Sequence, residues 1–354
     1  MENYEKYMKK CFELACKGAG FVSPNPMVGC VVLDKNGEEI ACGYHHKYGE
    51  NHAERDALLK LDDKQAEGGT LIVNLEPCSH YGKTPPCADL IIEKGIKKVV
   101  IAMRDVNPIV AGNGIKKLQN ADIEVIEGVL ESEAKDLNEI FIKNMTEKKC
   151  FVALKTATTL DGKVATKTGS SKWITSEKSR QKGKELRAIY DAVLTTSSTV
   201  LADNSEFNCK TKILLDRKLK CALDLKYFKT GKIYIATCIE NHPQDNENIK
   251  YIQCKEKDNK IDLQDLFLKL FELNIKSVFV EAGGKLNGEL IDKDLVDKIY
   301  HFIAPKIIGD NSAKSSYEGR DILDINDSKQ FDLKSSEIIN GDILLVYKSN
   351  KNGL

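Results

Sequence analysis

Two series of short apolar runs, each alternating with segments of helical spacing, restrict this chain to a layered α/β fold. In the first series, residues 4–17 carry Tyr4, Met8, Cys11 and Ala15 on one helical side, and Gly18 and Gly20 stop that helix. Residues 28–33 form a continuous apolar run, as expected of a buried strand. Asp34-Lys35-Asn36-Gly37 is a turn, and residues 40–43 return as the second strand of a hairpin. Helix is then expected at 52–61, 88–93 and 115–119, and strand at 70–75, 98–102 and 123–126. The polar stretch 144–149 reads as a linker. Beyond it a second series opens at 150–154, with strands at 192–194, 213–215, 233–236, 277–280 and 298–303 and an amphipathic helix at 263–273.

A chain of 354 residues suits two such domains. Lys+Arg and Asp+Glu both number 53, so the basic excess that holds a long nucleic acid is missing and a small substrate is expected. The segment Met1-Glu2-Asn3-Tyr4-Glu5-Lys6 lacks the apolar run of a signal peptide, and no stretch is apolar for long enough to span a membrane. Eleven cysteines, an odd number scattered along the chain, read as reduced thiols of a cytoplasmic protein. Cys30 and Cys42 sit in strand-like contexts and read as small core residues, whereas Cys78 and Cys87 belong to a chemical pattern.

That pattern is His52-Ala53-Glu54, then Pro77-Cys78, then Cys87. One His and two Cys supply three ligands for tetrahedral zinc and leave the fourth position for water. Zinc lowers the pKa of such a water, making hydroxide available near neutral pH. Glu54, two residues beyond His52, can reach the water without ligating the metal and so move protons. This is the arrangement of zinc nucleobase deaminases, with the second part stretched so that eight residues separate the two cysteines. A purely structural zinc site would call for a fourth protein ligand and no neighbouring acid.

The stretched insert carries a family resemblance. Leu75-Glu76-Pro77-Cys78-Ser79-His80-Tyr81-Gly82-Lys83-Thr84-Pro85-Pro86-Cys87 resembles the deaminase domain of the bifunctional riboflavin biosynthesis deaminase–reductases. So do Ser23-Pro24-Asn25-Pro26-Met27-Val28-Gly29-Cys30, Gly43-Tyr44-His45 and Arg104-Asp105-Val106-Asn107-Pro108. The resemblance implies a cytidine-deaminase-like three-layer α/β/α domain over residues 1–146, acting on a pyrimidine that bears a ribose phosphate. It makes Glu54 the catalytic residue and His52, Cys78 and Cys87 the Zn2+ ligands. Asn25, His45, His80, Lys83, Thr84, Asp105 and Asn107 become substrate contacts, and the chemistry agrees: Lys83 suits a phosphate, and Asn25 and His80 can read the polar edge of a heterocycle. His46 reads as a solvated neighbour.

Residues 150–349 resemble the reductase domain of the same family, which is similar to dihydrofolate reductase in fold. The resemblance lies in Lys155-Thr156-Ala157-Thr158-Thr159-Leu160-Asp161-Gly162-Lys163, Ser171-Lys172-Trp173-Ile174-Thr175, Leu186-Arg187, Glu281-Ala282-Gly283-Gly284 and Ala304-Pro305-Lys306. It implies NADPH-dependent reduction of the ribosyl group to an open ribityl chain; a homo-oligomer is expected separately. Lys155, Ala157, Ser171, Trp173, Thr175, Arg187, Thr199, Asp203, Lys210, Glu281 and Gly283 are the substrate and cofactor contacts it implies, with Arg187 on a phosphate and Asp203 as an acid or hydroxyl anchor. A Gly pair between a strand and a helix lets a phosphate approach backbone N–H groups, although it lacks the three spaced glycines of the dinucleotide fingerprint.

The sequence departs from this pattern in one loop. Where the family reads Gly-x-Gly-Thr, this chain has Thr196-Ser197-Ser198-Thr199, and Lys210 stands where the family has arginine. Added Cβ atoms and a lost guanidinium fork predict a functional but weaker reductase. Two alternatives stand beside this reading: a deaminase whose second domain has lost reduction and serves binding or oligomerisation, and an editor of nucleic-acid bases, which the neutral charge opposes.

Overall fold

In the computed structural model, which describes residues 2–62, 64–81, 85–107, 111–204 and 206–350, the first helical pattern forms α1 (Glu2–Cys16). The apolar run after it forms β1 (Gly29–Leu33), buried along its whole length. Glycine at 29 reflects how tightly α1 lies on that strand: a Cβ there would come 2.1 Å from the Cys11 carbonyl oxygen. The unit continues through β2 (Glu39–Tyr44), α2 (Ala53–Leu58), β3 (Thr70–Leu75), α3 (Cys87–Glu93), β4 (Lys98–Met103), α4 (Asn113–Gln119) and β5 (Glu124–Glu127). It ends with α5 (Glu131–Leu137) and α6 (Glu139–Glu147).

These strands make one sheet in the order β2-β1-β3-β4-β5. β1 runs antiparallel to both neighbours, while β3, β4 and β5 run parallel. Helices α1 and α5 pack together, α2, α3 and α4 form a second group, and the sheet lies between, giving three layers. The strand directions bring four chain segments to one edge. The carboxyl ends of β3 and β4 meet the start of β1 and the end of β2, because Gly29 pairs with Tyr44 and Cys30 with Val73. Segments 23–28, 44–46, 76–78 and 104–107 therefore converge.

The chain divides into two compact units, Met1–Lys148 and Lys149–Leu354. The polar stretch at 144–149 is not an open linker: α6 runs through it to Glu147 with Asn144 buried, and Lys148 turns the chain in a left-handed conformation (φ 57°). The last turns of α6 are solvated on one side, which is why the stretch reads as polar.

The second unit opens with β6 (Phe151–Thr159), β7 (Lys163–Ala165), α7 (Glu177–Arg187), β8 (Ala192–Thr196), α8 (Ser197–Asp203) and β9 (Thr211–Leu215). β10 (Lys232–Thr237), β11 (Ile249–Gln253), β12 (Glu256–Lys257), β13 (Lys260–Ile261), α9 (Leu263–Glu272), β14 (Ser277–Val280) and α10 (Gly284–Asp292) come next. It closes with β15 (Lys298–Ala304), β16 (Lys314–Ser315), β17 (Phe331–Ile339) and β18 (Asp342–Ser349). Its main sheet has the order β11-β10-β9-β8-β14-β6-β15-β18-β17. Every pairing from β11 to β15 is parallel, and the final hairpin β17–β18 adds antiparallel to β15. That hairpin and α7 go beyond what the apolar runs announced, since exposed residues occupy most of β17 and α7 buries only Ser179, Gly183 and Leu186.

Candidate deaminase and reductase sites

At the converging edge of the first sheet, His52 occupies the N-cap of α2, Cys78 lies just beyond β3, and Cys87 begins α3. His52 Nδ1 lies 3.6 Å from the Cys78 sulfur and 3.5 Å from the Cys87 sulfur, and the three ligand atoms all fall within 4.8 Å of one another. Zinc bonds to sulfur and to imidazole nitrogen of ordinary length put the N···S edge of a tetrahedral site at about 3.6 Å. The three side chains therefore fit zinc as they stand. The Cys87 N–H donates to the Cys78 sulfur at 3.3 Å, and the Cys87 thiol bonds it as well, lowering Cys78 to about 4. Cys87 is raised in turn, and its hydrogen bond to Cys78 lifts His52 to about 9. A dication among these atoms would take the place of protons and favour both thiolates.

Glu54 lies in the first turn of α2, buried, with no role as a ligand atom in the group. Burial pushes its carboxyl up to about 7, and the nearby His52 charge opposes that shift. Such a group can both take and give a proton near neutral pH.

A cavity of about 200 Å³ opens onto this group. His52, Cys78 and Glu54 line it, and so do Asn25, His45, His80, Asp105 and Asn107 from the other converging segments. Lys83 and Thr84 lie outside the described residues. The Asn25 amide nitrogen donates to His45 Nε2 at 3.1 Å, and His45 Nδ1 donates to the Asn51 carbonyl at 2.9 Å. Burial lowers His45 below its ordinary value, which favours the neutral ring, and this tautomer leaves the Asn25 side-chain oxygen unused by His45. Asp105, pushed up to about 6 chiefly by burial, accepts from the Asn107 N–H at 2.8 Å. His46 is exposed, as expected, yet also meets Asp56 at 3.3 Å.

Sequence reasoning assigned no role to several residues of this wall. Glu76 and Phe141 line the cavity. Behind it, the buried amides of Asn74 and Asn138 clamp Met27 and Gly29. Asn138 Oδ1 accepts from Met27 N at 2.8 Å and Asn74 Oδ1 from Gly29 N at 2.8 Å. Asn74 had a signal, a polar residue inside the apolar run of a buried strand. Asn138 had none, since it arrives from the α5–α6 junction.

In the second unit the expected residues are spread over a strand, two helices and the segments between elements. Arg187, at the end of α7, forms a two-point ion pair with Glu281 after β14, at 2.7 and 3.3 Å, and its guanidinium lies 5.4 Å from the Phe207 ring centre. The two expected contacts thus meet, with Arg187 engaged by a carboxylate. Lys155 and Ala157 stand on β6, and the Lys155 ammonium lies 5.8 Å from the centre of the Phe302 ring. Trp173 is exposed, but Arg180 covers one face of its ring at 4.3 Å. Ser171 is half-buried in the same segment, and Thr175 is buried and offers its carbonyl to Arg180. Thr199 and Asp203 belong to α8, Lys210 is exposed, and Gly283 caps α10 with open space around it. Gly284 has a different reason: a Cβ there would come 2.2 Å from the Ser315 carbonyl oxygen.

A cavity of about 610 Å³ lies at the carboxyl ends of β8 and β9 and the start of α10, the position where open parallel sheets bind dinucleotides. Thr196, Ser197, Arg217 and Lys285 line it, and none of the eleven expected reductase contacts does. Thr196 itself needs no glycine conformation: its φ is −113°, and its hydroxyl accepts from the Thr199 N–H to cap α8.

Comparison with known proteins accounts for both halves. The family model for the cytidine and deoxycytidylate deaminase zinc-binding region matches residues 1–103, and that for the RibD C-terminal domain matches residues 150–345. The riboflavin biosynthesis protein RibD of Actinobacillus pleuropneumoniae is 42% identical over 356 residues, covering 96% of this chain and 94% of that protein. Its Escherichia coli counterpart is 37% identical, covering 96% and 98%. Among solved structures, a diaminohydroxyphosphoribosylaminopyrimidine deaminase/5-amino-6-(5-phosphoribosylamino)uracil reductase from Thermotoga maritima superposes with a TM-score of 0.89 at 41% identity, covering 98% of this chain and 99% of that one. RibD of Acinetobacter baumannii gives 0.87 at 33% identity, covering 99% of each chain. The chain belongs to the RibD family, bifunctional enzymes of riboflavin biosynthesis that join a zinc-dependent deaminase to an NADPH-dependent reductase.

Proposed function

We propose that the first unit deaminates a diaminopyrimidinone carrying a ribose phosphate and that the second reduces the ribosyl group of the product. The observation that carries this reading is the meeting of His52, Cys78, Cys87 and the buried Glu54 beside one small cavity with Asn25, His45, Asp105 and Asn107. His52, Cys78 and Cys87 would hold zinc, which when bound makes a hydroxide nucleophile available near neutral pH. Glu54 takes the proton from the attacking water and returns it to the departing amine, as a buried carboxyl poised near neutrality can. Asn25, aligned by His45, accepts from a ring N–H, and Asp105 and Asn107 contribute a further part of the cavity wall.

In the second unit NADPH supplies the hydride, and the cavity bounded by Thr196, Arg217 and Lys285 would hold it. Arg187, paired with Glu281, has to exchange partners to take a substrate phosphate. The reading in which this domain has lost reduction finds no support, because the reductase family model spans the altered loop. We also infer a cytoplasmic homo-oligomer acting on small molecules. All eleven cysteines are free, no helix among the described residues is long and apolar enough to cross a membrane, and acidic and basic residues balance. Incubating the protein with the substrate named for the Thermotoga maritima enzyme, with and without NADPH, and weighing the products tests the pair of reactions. Without NADPH the product has oxygen in place of an amine. With it, two further hydrogens appear. An unchanged substrate mass in both would overturn the reading.

A further inference from the structure

We propose that Glu76 is a positioning residue for deamination, a buried carboxylate that sets the Asp105–Asn107 wall of the cavity against the metal-ligand strand. The residue lies immediately after β3, two positions before Cys78, and is buried. Its backbone N–H donates to the Met103 carbonyl at 3.0 Å, fixing it to the end of β4. Its side chain then captures the segment beyond β4. Oε2 accepts from the N–H groups of Asp105 at 3.2 Å and Gly112 at 3.0 Å. Oε1 accepts from Gly114 at 3.0 Å and Ile115 at 3.3 Å. One carboxylate thus ties the end of β3, the loop after β4 and the first turn of α4.

Bonds from N–H groups to an ionised oxygen are the stronger class, and four of them satisfy a buried carboxylate without any cation. The ordering passes on: Asp105, held by Glu76, accepts in turn from the Asn107 N–H at 2.8 Å. The contact is also sterically close, since a Cβ on Gly114 would lie 2.0 Å from the Pro77 carbonyl oxygen, beside Cys78. Glutamine keeps the shape of this side chain but not its function. It presents one oxygen, and its NH2 faces two N–H donors that no longer have an acceptor. Glu76 is therefore the link between metal-site geometry and substrate wall, a role that rests on the assignment of Asp105 and Asn107 as substrate contacts.

The test uses the full chain with Glu76→Gln, and Asn107→Ala as a control on that assignment. Zinc content, amide hydrogen exchange and deamination kinetics are measured together. For Glu76→Gln we expect stoichiometric zinc, faster exchange at Asp105, Gly112, Gly114 and Ile115 with β3 and β4 still protected, and a KM raised about tenfold or more with kcat changed less. Unchanged exchange at those four amides overturns the knot, whatever the kinetics. Loss of zinc in step with activity overturns the positioning role, because Glu76 would then support the metal site. Local exchange with unchanged KM in Glu76→Gln but a raised KM in Asn107→Ala also overturns it. Unchanged KM in both variants instead overturns the substrate-wall assignment. If Glu76→Gln does not fold, Gly114→Ala presses on the same junction from α4, and it must show the same exchange pattern and KM rise for the proposal to stand.

Discussion

The two sites of this chain are built in opposite ways. The deaminase site gathers four segments that an antiparallel–parallel junction brings to one sheet edge, joined by the starts of α2, α3 and α6, around a cavity of about 200 Å³. The residues expected of the reductase site are spread over β6, the segment 171–175, α7, α8 and the segment after β14, and none of them lines the cavity of about 610 Å³. A small enclosed site must converge in space, and here its reacting groups also share short motifs. A dinucleotide site is long, and its backbone donors and scattered side chains leave little local pattern. That contrast is why the described residues expected of the first site gather at one cavity, while those expected of the second stay scattered over their domain.

The largest expected effect tests that convergence. Glu54→Gln should keep zinc, since no ligand atom is changed, and lose deamination by a factor of about 10²–10⁴ while NADPH oxidation by the second unit persists. His52→Ala, Cys78→Ser and Cys87→Ser should lower the metal content instead. Metal analysis beside both activity assays separates these outcomes. Normal deamination by Glu54→Gln would remove its proton-transfer role, and full zinc in all three ligand variants would remove the ligand set.

Legibility in the sequence divides along the same line. His52, Glu54, Cys78 and Cys87 were readable because their spacing is dictated by a metal's bond lengths and by where β3 and α2 end. Asn138 and Phe141 were not, because they join the site from the α5–α6 junction and nothing local marks them. In the second unit, Lys212, which precedes the apolar run 213–215, is fully buried, its ammonium bonded to the carbonyls of Glu206 and Tyr227 and to the Thr230 hydroxyl. Arg217 lines the larger cavity with no motif around it, and Lys285, which follows the Gly283-Gly284 pair, lines it without having been given a role. Both domain folds were legible, since buried parallel strands write themselves as apolar runs. The solvated faces of α6, α7 and β17 do not.

The two units should also respond to acid in opposite directions. In the first, burial raises Asp105 to about 6, so the native state holds a proton that the unfolded chain has released above its ordinary value of 3.8. Its contribution is present below pH 4 and is lost as pH rises through 6, by at most about 3 kcal/mol. In the second, burial alone lowers His301 to about 4 from 6.5, and its Nε2 meets the Thr158 hydroxyl at 2.9 Å. That contribution is present above pH 6.5 and is lost as pH falls through 4, again by at most about 3 kcal/mol. Denaturant unfolding of fragments 1–148 and 149–354 between pH 4 and 6.5 measures both slopes. Asp105→Asn should lessen the first slope, to which Glu54, raised to about 7, adds in the same sense, and His301→Gln should flatten the second. Slopes unaltered by these substitutions would mean that other groups govern the pH dependence.

The smallest effect concerns the loop in which this chain departs from its relatives. Thr196 lines the larger cavity, Ser198 is exposed one helical step away, and Lys210 lies outside the cavity lining. The Thr196 hydroxyl is already occupied, accepting from the Thr199 N–H and lying 2.8 Å from the Ser198 hydroxyl. Its side chain therefore narrows the cavity more than it offers a new bond. Thr196→Gly should tighten NADPH binding by about threefold to tenfold, or roughly 1 kcal/mol, while the lost cap costs only a few tenths. Ser198→Gly should leave NADPH binding nearly unchanged, and Lys210→Arg should tighten the phosphorylated substrate without altering NADPH. Fluorescence titration of NADPH and substrate KM values resolve the three variants. Weaker NADPH binding in Thr196→Gly would show that the hydroxyl is itself a cofactor ligand, so that the departure from glycine is an adaptation of the reductase site rather than a loss.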